Sequence, residues 1–527
     1  MSRAALALRL LSALALIAAL VRNSALGATE APAATNDVYL GIVLKRLPSA
    51  NPVNGEKWAR IMCQTCHLFP DPALLDEPSW RKYILPKMML FLGVKQLDPS
   101  MPKYDQARAS GLFSTSALLS KKDWDDLVAY YLDKAPARLP QAPITKIEPS
   151  LKRFTVQKPE FRHSPPDTTL VSIDPELKVI FSGDATTQAL DVWDSNGRRL
   201  STIEVGNIPI NLVHSGRGLD VACIGHFFPD EGRLGQLISF KRTQRGLQRK
   251  VLLSELPRVA YLETPDINAD GKPDYVVSMF GYLTGRVSWY ENLGDDKLAE
   301  HILLAKPGAV CSLTRDFNGD GALDIAVLFG QDTEALNIFF NDKHGGFTPK
   351  EIFRTSPAQG HTYFEMADFN KDGRLDFIAV SGDNADFPSP PKPYHGIRIY
   401  LDRGNTNYQE SFFYPLNGAF KAIARDFDAD GDIDIGAISF FPDYARASEQ
   451  SFVYLENQGD MRFTASTFPD CAMGRWIAMD AGDLDGDGDI DLVLGSLIEM
   501  KASVPPNIVK HWDEQSPSIL ILKNTLR

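Results

Sequence analysis

Five copies of one nine-residue pattern, D-x-[DN]-x-D-G-x-x-D, constrain the fold of this chain more than any other feature. They begin at Asp266, Asp316, Asp368, Asp426 and Asp483. Each copy has an oxygen-bearing side chain at positions 1, 3, 5 and 9, and the Gly at position 6 permits a sharp turn. Ca²⁺ takes about six to eight oxygen ligands, which alternating residues of a tight loop supply. The pattern therefore predicts calcium sites, up to five in number.

The predicted calcium ligands occupy the same four positions of each copy. An acidic turn that binds no ion is the alternative, and it fits one copy better than five. The ligands are Asp266, Asn268, Asp270 and Asp274, then Asp316, Asn318, Asp320 and Asp324, then Asp368, Asn370, Asp372 and Asp376, then Asp426, Asp428, Asp430 and Asp434, and finally Asp483, Asp485, Asp487 and Asp491.

An EF-hand is the nearest competing motif, and it fails at position 12. That position requires a bidentate Glu, but here it holds Val277, Val327, Ala379, Ala437 and Leu494. Each loop is also followed by a strand-like apolar run instead of an amphipathic helix. We therefore expect calcium loops that lead directly into β-strands.

The spacing of the five copies indicates a repeating sheet. Their first Asp residues are 50, 52, 58 and 57 residues apart, which fits one four-stranded propeller blade per copy. From Thr264 to about Gly495 the pattern resembles the FG-GAP or VCBS repeat of integrin α-subunit propellers. Two upstream stretches, 169–193 and 210–240, keep the strand rhythm without the ligands. The resemblance thus implies a mainly β fold, with a seven-bladed β-propeller over residues 139–527.

The last blade ends one strand short, after the run Ser518–Asn524. The segment Phe154–Val156, far upstream, is similar to the outer-strand sequence Gly346-Phe-Thr. We predict that Phe154–Val156 supplies the missing strand, because pairing the two ends of the ring removes an exposed sheet edge.

The N-terminus has the features of a secretory signal peptide over residues 1–27. Arg3 and Arg9 precede an apolar run from Leu10 to Val21, and small residues follow before Ala28. A membrane anchor is the alternative, but spanning a bilayer takes about 20 residues. A linker is expected over 28–52, and the mature protein is expected to be periplasmic or extracellular.

The net charge is −12, and the five loops alone hold 19 Asp residues. Bound cations would offset much of this charge, and an acidic surface does not favour nucleic acid as a partner.

Cys63-Gln64-Thr65-Cys66-His67 has the C-x-x-C-H spacing of a c-type haem attachment site. Two thiols on one turn form thioethers with the haem vinyl groups, and the adjacent imidazole reaches the iron. A C-x-x-C can also be a redox pair or half of a zinc site. In this sequence no second cysteine pair is present for zinc, and no βαβ pattern surrounds the motif. The sequence therefore predicts covalent haem c.

Residues 53–138 resemble a small all-α cytochrome c domain. A short helix at Asn54–Trp58 runs into the motif, and a capping box at Ser120–Asp123 opens an amphipathic helix. The resemblance implies His67 as the proximal iron ligand and Met101, in a Met-Pro loop, as the second. Met88 and Met89 are rivals for that second position, and a His or an open site are further alternatives.

The expected function is one-electron transfer by an exported c-type haem protein, with the propeller as a binding scaffold. The expected partner is a redox protein or a small-molecule electron donor, and a glycan or protein ligand on the propeller face is possible. The alternatives are a haem-coupled periplasmic oxidoreductase and a calcium-dependent surface adhesion protein. The sequence assigns no catalytic residue and favours an electron-transfer or binding protein over an enzyme.

A long Pro-rich insertion, 383–396, interrupts the fifth blade, and the second and sixth blades carry shorter ones. With His361 and Trp476 these loops are expected to form an aromatic pocket or the seat of the cytochrome c-like domain. The alternative is that His361 and His395 are ordinary hydrogen-bonded loop residues. Cys223, Cys311 and Cys471 are either partly disulfide-bonded or buried free thiols.

Overall fold

The computed structural model describes residues 42–525, except 102, 142–143, 145–146, 216–217, 245, 388–389, 500 and 502–503. The predicted signal peptide and residues 28–41 of the predicted linker lie outside the described part. Within it, no helix is both long and apolar enough to cross a membrane.

A small helical unit comes first in the described chain. Its first helix begins at Pro52 because Asn51 caps it, accepting a hydrogen bond at Oδ1 from the Val53 N–H at 3.1 Å. Its last helix is capped by the Ser120 side chain, as the sequence predicted. The helices are α1 (Pro52–Met62), α2 (Glu77–Ser79), a π-helical turn (Trp80–Ile84), α3 (Leu85–Phe91), α4 (Tyr104–Ser110) and α5 (Lys121–Lys134).

Helices α1 and α5 pack directly against each other at Gly55. A Cβ on Gly55 would lie 1.9 Å from the carbonyl oxygen of Asp126, so only Gly fits at this crossing. The Asp126 side chain, which is 1% exposed, accepts hydrogen bonds from the Asn51 N–H at 2.6 Å and from Asn54 Nδ2 at 2.7 Å. The amphipathic helix predicted after Ser120 therefore packs directly against α1.

The rest of the described chain forms seven four-stranded antiparallel sheets, a seven-bladed β-propeller. The fourth strand of each blade is the most exposed and lies outermost. The innermost strands contact one another in sequence around a closed ring. Apolar side chains fill the space between neighbouring blades, so each blade contributes to two cores.

The strands of blades one to four follow in chain order. They are β2 (Thr168–Asp174), β3 (Val179–Asp184), β4 (Ala189–Asp194) and β5 (Arg199–Glu204), then β6 (Pro209–Ser215), β7 (Gly218–Cys223), β8 (Gly235–Thr243) and β9 (Gly246–Leu256), then β10 (Val259–Glu263), β11 (Tyr275–Met279), β12 (Arg286–Gly294) and β13 (Lys297–Leu304), then β14 (Ala309–Arg315), β15 (Asp324–Phe329), β16 (Ala335–Asn341) and β17 (Phe347–Arg354).

Blades five to seven complete the ring, and blade seven takes its outer strand from the beginning of the propeller. They contain β18 (His361–Ala367), β19 (Asp376–Ser381), β20 (Gly396–Asp402) and β21 (Tyr408–Pro415), then β22 (Ala419–Arg425), β23 (Asp434–Ser439), β24 (Phe452–Asn457) and β25 (Phe463–Ser466), then β26 (Trp476–Gly482), β27 (Asp491–Ser496), β28 (Ile519–Asn524) and β1 (Phe154–Gln157).

The predicted ring closure is confirmed. Strand β1 pairs antiparallel with β28, with Phe154 opposite Asn524 and Val156 opposite Leu522. The Phe154 ring is buried, with its centroid 5.6 Å from that of Phe427 and 5.5 Å from that of Tyr454. The closing strand is therefore held by core packing as well as by its ladder.

The two ends of the propeller carry different structures. In every blade the first and second strands are joined at one end, where the five Asp-rich loops lie. The second and third strands are joined at the opposite end, where the insertions lie, including helix α6 (Pro506–Gln515) in blade seven. This alternation is a consequence of antiparallel pairing.

Candidate functional site

The C-x-x-C-H segment directly follows helix α1. Cys63 is the C-cap of the helix and donates its backbone N–H to the Ala59 carbonyl at 2.9 Å. A turn then brings Cys66 to the exposed surface and leaves His67 half-buried. The helix thus fixes the first thiol, and the turn sets the position of the other two side chains.

The His67 ring is oriented by its own backbone. Nδ1 lies 2.8 Å from the Leu68 carbonyl oxygen, so it carries the proton and donates this bond. Within the described chain Nε2 makes no hydrogen bond, and its lone pair is available. A neutral imidazole with Nδ1 bonded to a carbonyl is the usual form of a metal-binding His.

The surroundings of Cys63 disfavour its thiolate form. Burial raises its pKa to about 11, although a hydrogen bond with Tyr131 works in the opposite direction. Nucleophilic cysteines in dithiol enzymes have a lowered pKa instead. The ligand atoms of Cys63, Cys66 and His67 also do not meet as a compact metal-binding group among the described residues. The raised pKa of Cys63 is unlike that of a thioredoxin-type nucleophile.

Apolar side chains surround the motif, and part of them is accessible. Met62, Cys63, Phe69 and Met88, together called the motif cluster, are half-buried against the core of the helical unit. Ile61 and Leu68 beside them are 48% and 42% exposed. This surface suits a large, flat, apolar group such as a porphyrin, so the residues fit the predicted cofactor.

Met101, the predicted second iron ligand, lies in a different place. It packs against Leu90 and Phe113 of the helical unit and against Leu283 of the propeller. The structure therefore brings Cys63 and Met88 into one apolar cluster and Met101 into another.

The five Asp-rich loops share one backbone conformation. Position 4 is left-handed in every loop, with φ of 56° at Ala269, 57° at Lys371 and 58° at Ala429, and with Gly at the other two. In four loops the position 1 carboxylate accepts the N–H groups of positions 5 and 6. In blade five these bonds run from Asp372 and Gly373 to Asp368, at 3.1 and 2.8 Å. In blade seven Asp483 accepts those of positions 4 and 6, Gly486 and Gly488.

In two of the loops the carboxylates of positions 1, 3 and 5 converge. Carboxylate oxygens of Asp426, Asp428 and Asp430 lie within 4.8 Å of one another, as do those of Asp483, Asp485 and Asp487. Such clustered charges repel one another unless a cation or protons compensate them. These loops are the best candidates for ion binding in the described chain.

The Asp at position 9 has a role that the sequence analysis missed. Asp491, which is 1% exposed, accepts the Leu484 N–H at 3.1 Å with Oδ2 and the Asn524 N–H at 2.8 Å with Oδ1. It therefore ties its loop to the third strand of the blade. The equivalent bonds occur at Asp274, Asp324, Asp376 and Asp434.

The helical unit sits on the propeller face opposite the Asp-rich loops. Tyr394 of the blade-five insertion donates its hydroxyl to the Leu74 carbonyl at 2.8 Å. The rings of Tyr83 and Phe387 stack with centroids 5.1 Å apart. The insertion is thus part of the seat of the helical unit, one of the two predicted roles.

Buried acidic and basic side chains lie in the propeller beneath this contact. Glu334 is 2% exposed, and burial raises its pKa to about 8, while its carboxylate accepts the His361 N–H at 3.0 Å. Lys392 is 5% exposed, burial lowers its pKa, and Nζ donates to the Ala358 carbonyl at 3.3 Å. Burial also raises the pKa of the nearby Asp383. The covered face is therefore polar.

The predicted aromatic pocket with His361 and Trp476 is not formed. Trp476 is fully buried between blades and donates Nε1 to the Cys471 carbonyl at 2.7 Å. His361 is bonded through Nε2 to the Thr355 hydroxyl at 3.0 Å, and burial lowers its pKa to about 3. His361 is an ordinary hydrogen-bonded residue. Cys223, Cys311 and Cys471 are buried free thiols.

The structure brings together Ser172, His214 and Asp174, which the sequence does not suggest. Ser172 Oγ is 3.0 Å from His214 Nε2, and His214 Nδ1 is 3.2 Å from Asp174 Oδ2. A polar contact also joins the innermost strands of blades seven and one, where Asp480 accepts the Ile173 N–H at 2.8 Å. This resemblance to a catalytic triad is thus explained as one of several polar contacts between innermost strands.

Comparisons with known proteins support the propeller. A family model described as FG-GAP-like repeat matches residues 266–327 and 316–379, which include three of the Asp-rich loops. No curated protein matches the chain.

Several solved structures are similar to parts of the chain. Sqt1 of Saccharomyces cerevisiae is 11% identical, with 72% of this chain and 100% of that chain covered and a TM-score of 0.43. The N-terminal domain of Nup159 is 12% identical, with 73% and 98% covered and a TM-score of 0.40. A putative 6-phosphogluconolactonase from Bacteroides fragilis is 15% identical, with 59% and 85% covered and a TM-score of 0.40. At these scores the likenesses carry no argument about function.

Proposed function

We propose that this chain is a c-type haem protein that transfers single electrons, with a cytochrome c-like domain fixed to a calcium-stabilised propeller. The observation that carries the proposal is the segment after α1. It offers two separated thiols, an imidazole with a free Nε2, and a half-exposed apolar surface in one place. Bound haem c supplies a one-electron iron couple.

Each residue of the segment has a distinct task in this proposal. Cys63 and Cys66 form the thioether bonds, and His67 Nε2 binds the iron. The Leu68 carbonyl holds the imidazole tautomer through Nδ1. Met62, Phe69 and Met88 would supply apolar surface to the haem.

Calcium has a structural role in the same proposal. Oxygens at positions 1, 3 and 5 hold the ion, and the backbone carbonyl of position 7 adds a ligand. The buried Asp at position 9 keeps the loop attached to its blade. Because these loops lie at the end of the propeller opposite the helical unit, calcium does not act on the haem directly.

The proposed location is outside the cytoplasm, where c-type haem is attached and calcium is abundant. The electron partner is another redox protein or a small-molecule donor. The propeller is proposed as a scaffold that binds a glycan or a protein ligand.

Absorption spectroscopy of protein matured in cells that attach haem c tests the proposal. Wild type is expected to carry one covalent haem, the Cys63→Ala/Cys66→Ala variant none, and His67→Ala a haem without the low-spin spectrum. His226→Gln, at an exposed His of the propeller, is the matched control and should retain the wild-type spectrum. A colourless matured wild type would refute the proposal.

A haem-coupled oxidoreductase is the second candidate, favoured by the buried acidic and basic side chains beneath the helical unit. Lys392, Glu334 and Asp383 offer polar groups where a substrate would be close to the helical unit. Reduction of the haem by an added sugar, alcohol or amine, lost in Lys392→Met, would support this candidate. If no such compound reduces wild type, electron transfer alone is retained.

A further inference from the structure

Helix α3 separates two methionines that the sequence offers as the second iron ligand. Met88 and Cys63 are both partly buried side chains that pack against the core of the helical unit. Leu90 belongs to the second cluster, which contains Met101. Successive helical residues are rotated by about 100°, so positions 88 and 90 lie on nearly opposite sides of α3. One side of this helix therefore faces the core against which Cys63 also packs, and the other faces the cluster against which Met101 packs.

Contacts with the propeller hold the Met101 segment in place. Met101 packs with Leu283 and Tyr282 of blade three. Two residues later, Lys103 donates Nζ to the Pro229 carbonyl of blade two at 3.4 Å, and its ammonium lies 5.8 Å from the centre of the Tyr282 ring. Moving Met101 to the motif cluster would break this interface. The Met101 side chain is therefore part of the contact between the helical unit and the propeller.

Exposure distinguishes Met88 from its neighbour Met89. Met89 is 8% exposed and is enclosed by core side chains, whereas Met88 is half-buried, like Cys63 and His67. A side chain that will touch a haem has to be accessible where the haem will lie. Met62 is also half-buried, but it directly precedes Cys63 on α1, whereas Met88 lies on a separate helix.

The π-helical turn before α3 sets the direction in which the side chains of this helix point. Residues Trp80–Ile84 are π-helical, and the Leu85 N–H donates to the Trp80 carbonyl five residues earlier. A π-helical turn adds a residue to the helix and rotates every side chain that follows, and such turns are frequent at functional sites. Trp80 and Leu85 are buried in the core of the helical unit, which fixes this rotation.

From these observations we infer that Met88, and not Met101, is the second axial ligand of the haem. The inference rests on the proposed function, because it requires haem at Cys63 and Cys66. It assigns Met101 to the contact between the helical unit and the propeller. The second ligand then comes from a rigid helix instead of the Met-Pro loop.

The test compares Met88→Leu with the matched control Met101→Leu in the full-length, haem-loaded protein. Met ligation gives oxidised haem a weak charge-transfer band in the red. Leu keeps the volume of Met but has no sulfur, so Met88→Leu should lose the band and keep covalent haem, while Met101→Leu should keep both. Loss of the band in Met101→Leu, or its persistence in Met88→Leu, would overturn the inference.

Proton NMR of the reduced protein gives a readout that does not depend on the folding of Met88→Leu. With methyl-¹³C methionine, one methionine methyl group should be shifted far upfield by the haem ring current. This signal should persist in Met101→Leu, Met89→Leu and Met62→Leu. Its loss in any of these variants, or its absence in haem-loaded wild type, would contradict Met88 ligation. Wild type without covalent haem would instead refute the proposed function.

Discussion

At the scale of single residues, His163 and Asp191 show how a partner sets a charge state. His163 Nε2 lies 2.6 Å from Asp191 Oδ2. The hydrogen bond to Asp191 raises the pKa of His163 despite partial burial. Burial alone would raise the pKa of Asp191, but its bonds from His163 and Thr202 outweigh this and lower it. The pair is therefore charged over a wide range of pH.

His163→Gln should destabilise the protein most in weakly acidic solution. The His163 contribution is complete below its unfolded pKa of about 6.5 and is lost as pH rises through the raised folded value. The Asp191 contribution is present above about 3.9 and is lost as pH falls through the lowered folded value. A charged hydrogen bond contributes about 1.5–3 kcal/mol, and we expect this loss in urea unfolding near pH 5.5, shrinking in alkaline solution.

His226→Gln is the control for this measurement. His226 also contacts an Asp, Asp230, at 2.6 Å, but its side chain is 56% exposed. Exposed ion pairs contribute about 1 kcal/mol or less, so little change is expected at any pH. A destabilisation of His163→Gln that grows as the pH rises would contradict a raised pKa of His163 in the folded protein.

At the scale of elements, each Asp-rich loop combines two kinds of carboxylate. Asp485 and Asp487 lie in a cluster near the surface, whereas Asp491 is buried and accepts two backbone N–H groups. The first kind offers oxygens to an ion. The second holds the loop in place whether or not an ion is bound.

Two variants of the blade-seven loop should separate these roles. Asp485→Ala/Asp487→Ala should unfold at a lower temperature than wild type in calcium and like wild type in chelator. A ligand at 100 times its Kd stabilises the folded state by about 2.7 kcal/mol. Asp491→Asn lacks one acceptor and should lose about 1–3 kcal/mol in both conditions. Equal melting of the double variant and wild type in calcium would argue against an ion in this loop.

The crossing of α1 and α5 gives a third prediction. Gly55→Ala places a Cβ 1.9 Å from the Asp126 carbonyl oxygen, so α1 has to shift. Overpacking of this kind costs about 1–3 kcal/mol, and calorimetry should show a lower unfolding temperature for the helical unit. Val53→Ala, on the same helix at a residue 79% exposed, should have almost no effect. If the two variants melt alike, the close packing at Gly55 is wrong.

The sequence predicted elements better than contacts between them. The sequence contains local signals: cap residues such as Ser120, the repeat spacing, and the strand-like runs after each loop. The helices and blades of the structure lie where these signals predict them. The second bond of Asp491 depends on Asn524, 33 residues later, and the site of Tyr394 depends on Leu74, 320 residues earlier. Such partners are chosen by the assembled ring, so no local pattern contains them. The cluster of Ser172, His214 and Asp174 was missed for the same reason.

At the scale of the whole molecule, the ring depends on the pairing of its two ends. Strand β1 has only β28 as a ladder partner among the described strands, and Phe154 fastens it to the core. Phe154→Ala should therefore lower the free energy of unfolding by about 3–5 kcal/mol, a typical loss for a buried aromatic ring. Urea unfolding checks this. Val156→Ala, at an exposed position of the same strand, is the control, and an equal loss in both would contradict closure by core packing.

The pairing of β1 with β28 also has a consequence for biosynthesis. A ribosome makes Phe154–Gln157 well before Ile519–Asn524, so the early strand has no ladder partner while the strands between them are made. Any chain that stops before Ile519 keeps an open ring with unsatisfied backbone groups at both ends, which proteases and aggregation act on. The ring of blades can therefore close only after the residues up to Asn524 have been made, because β1 pairs with Ile521–Asn524.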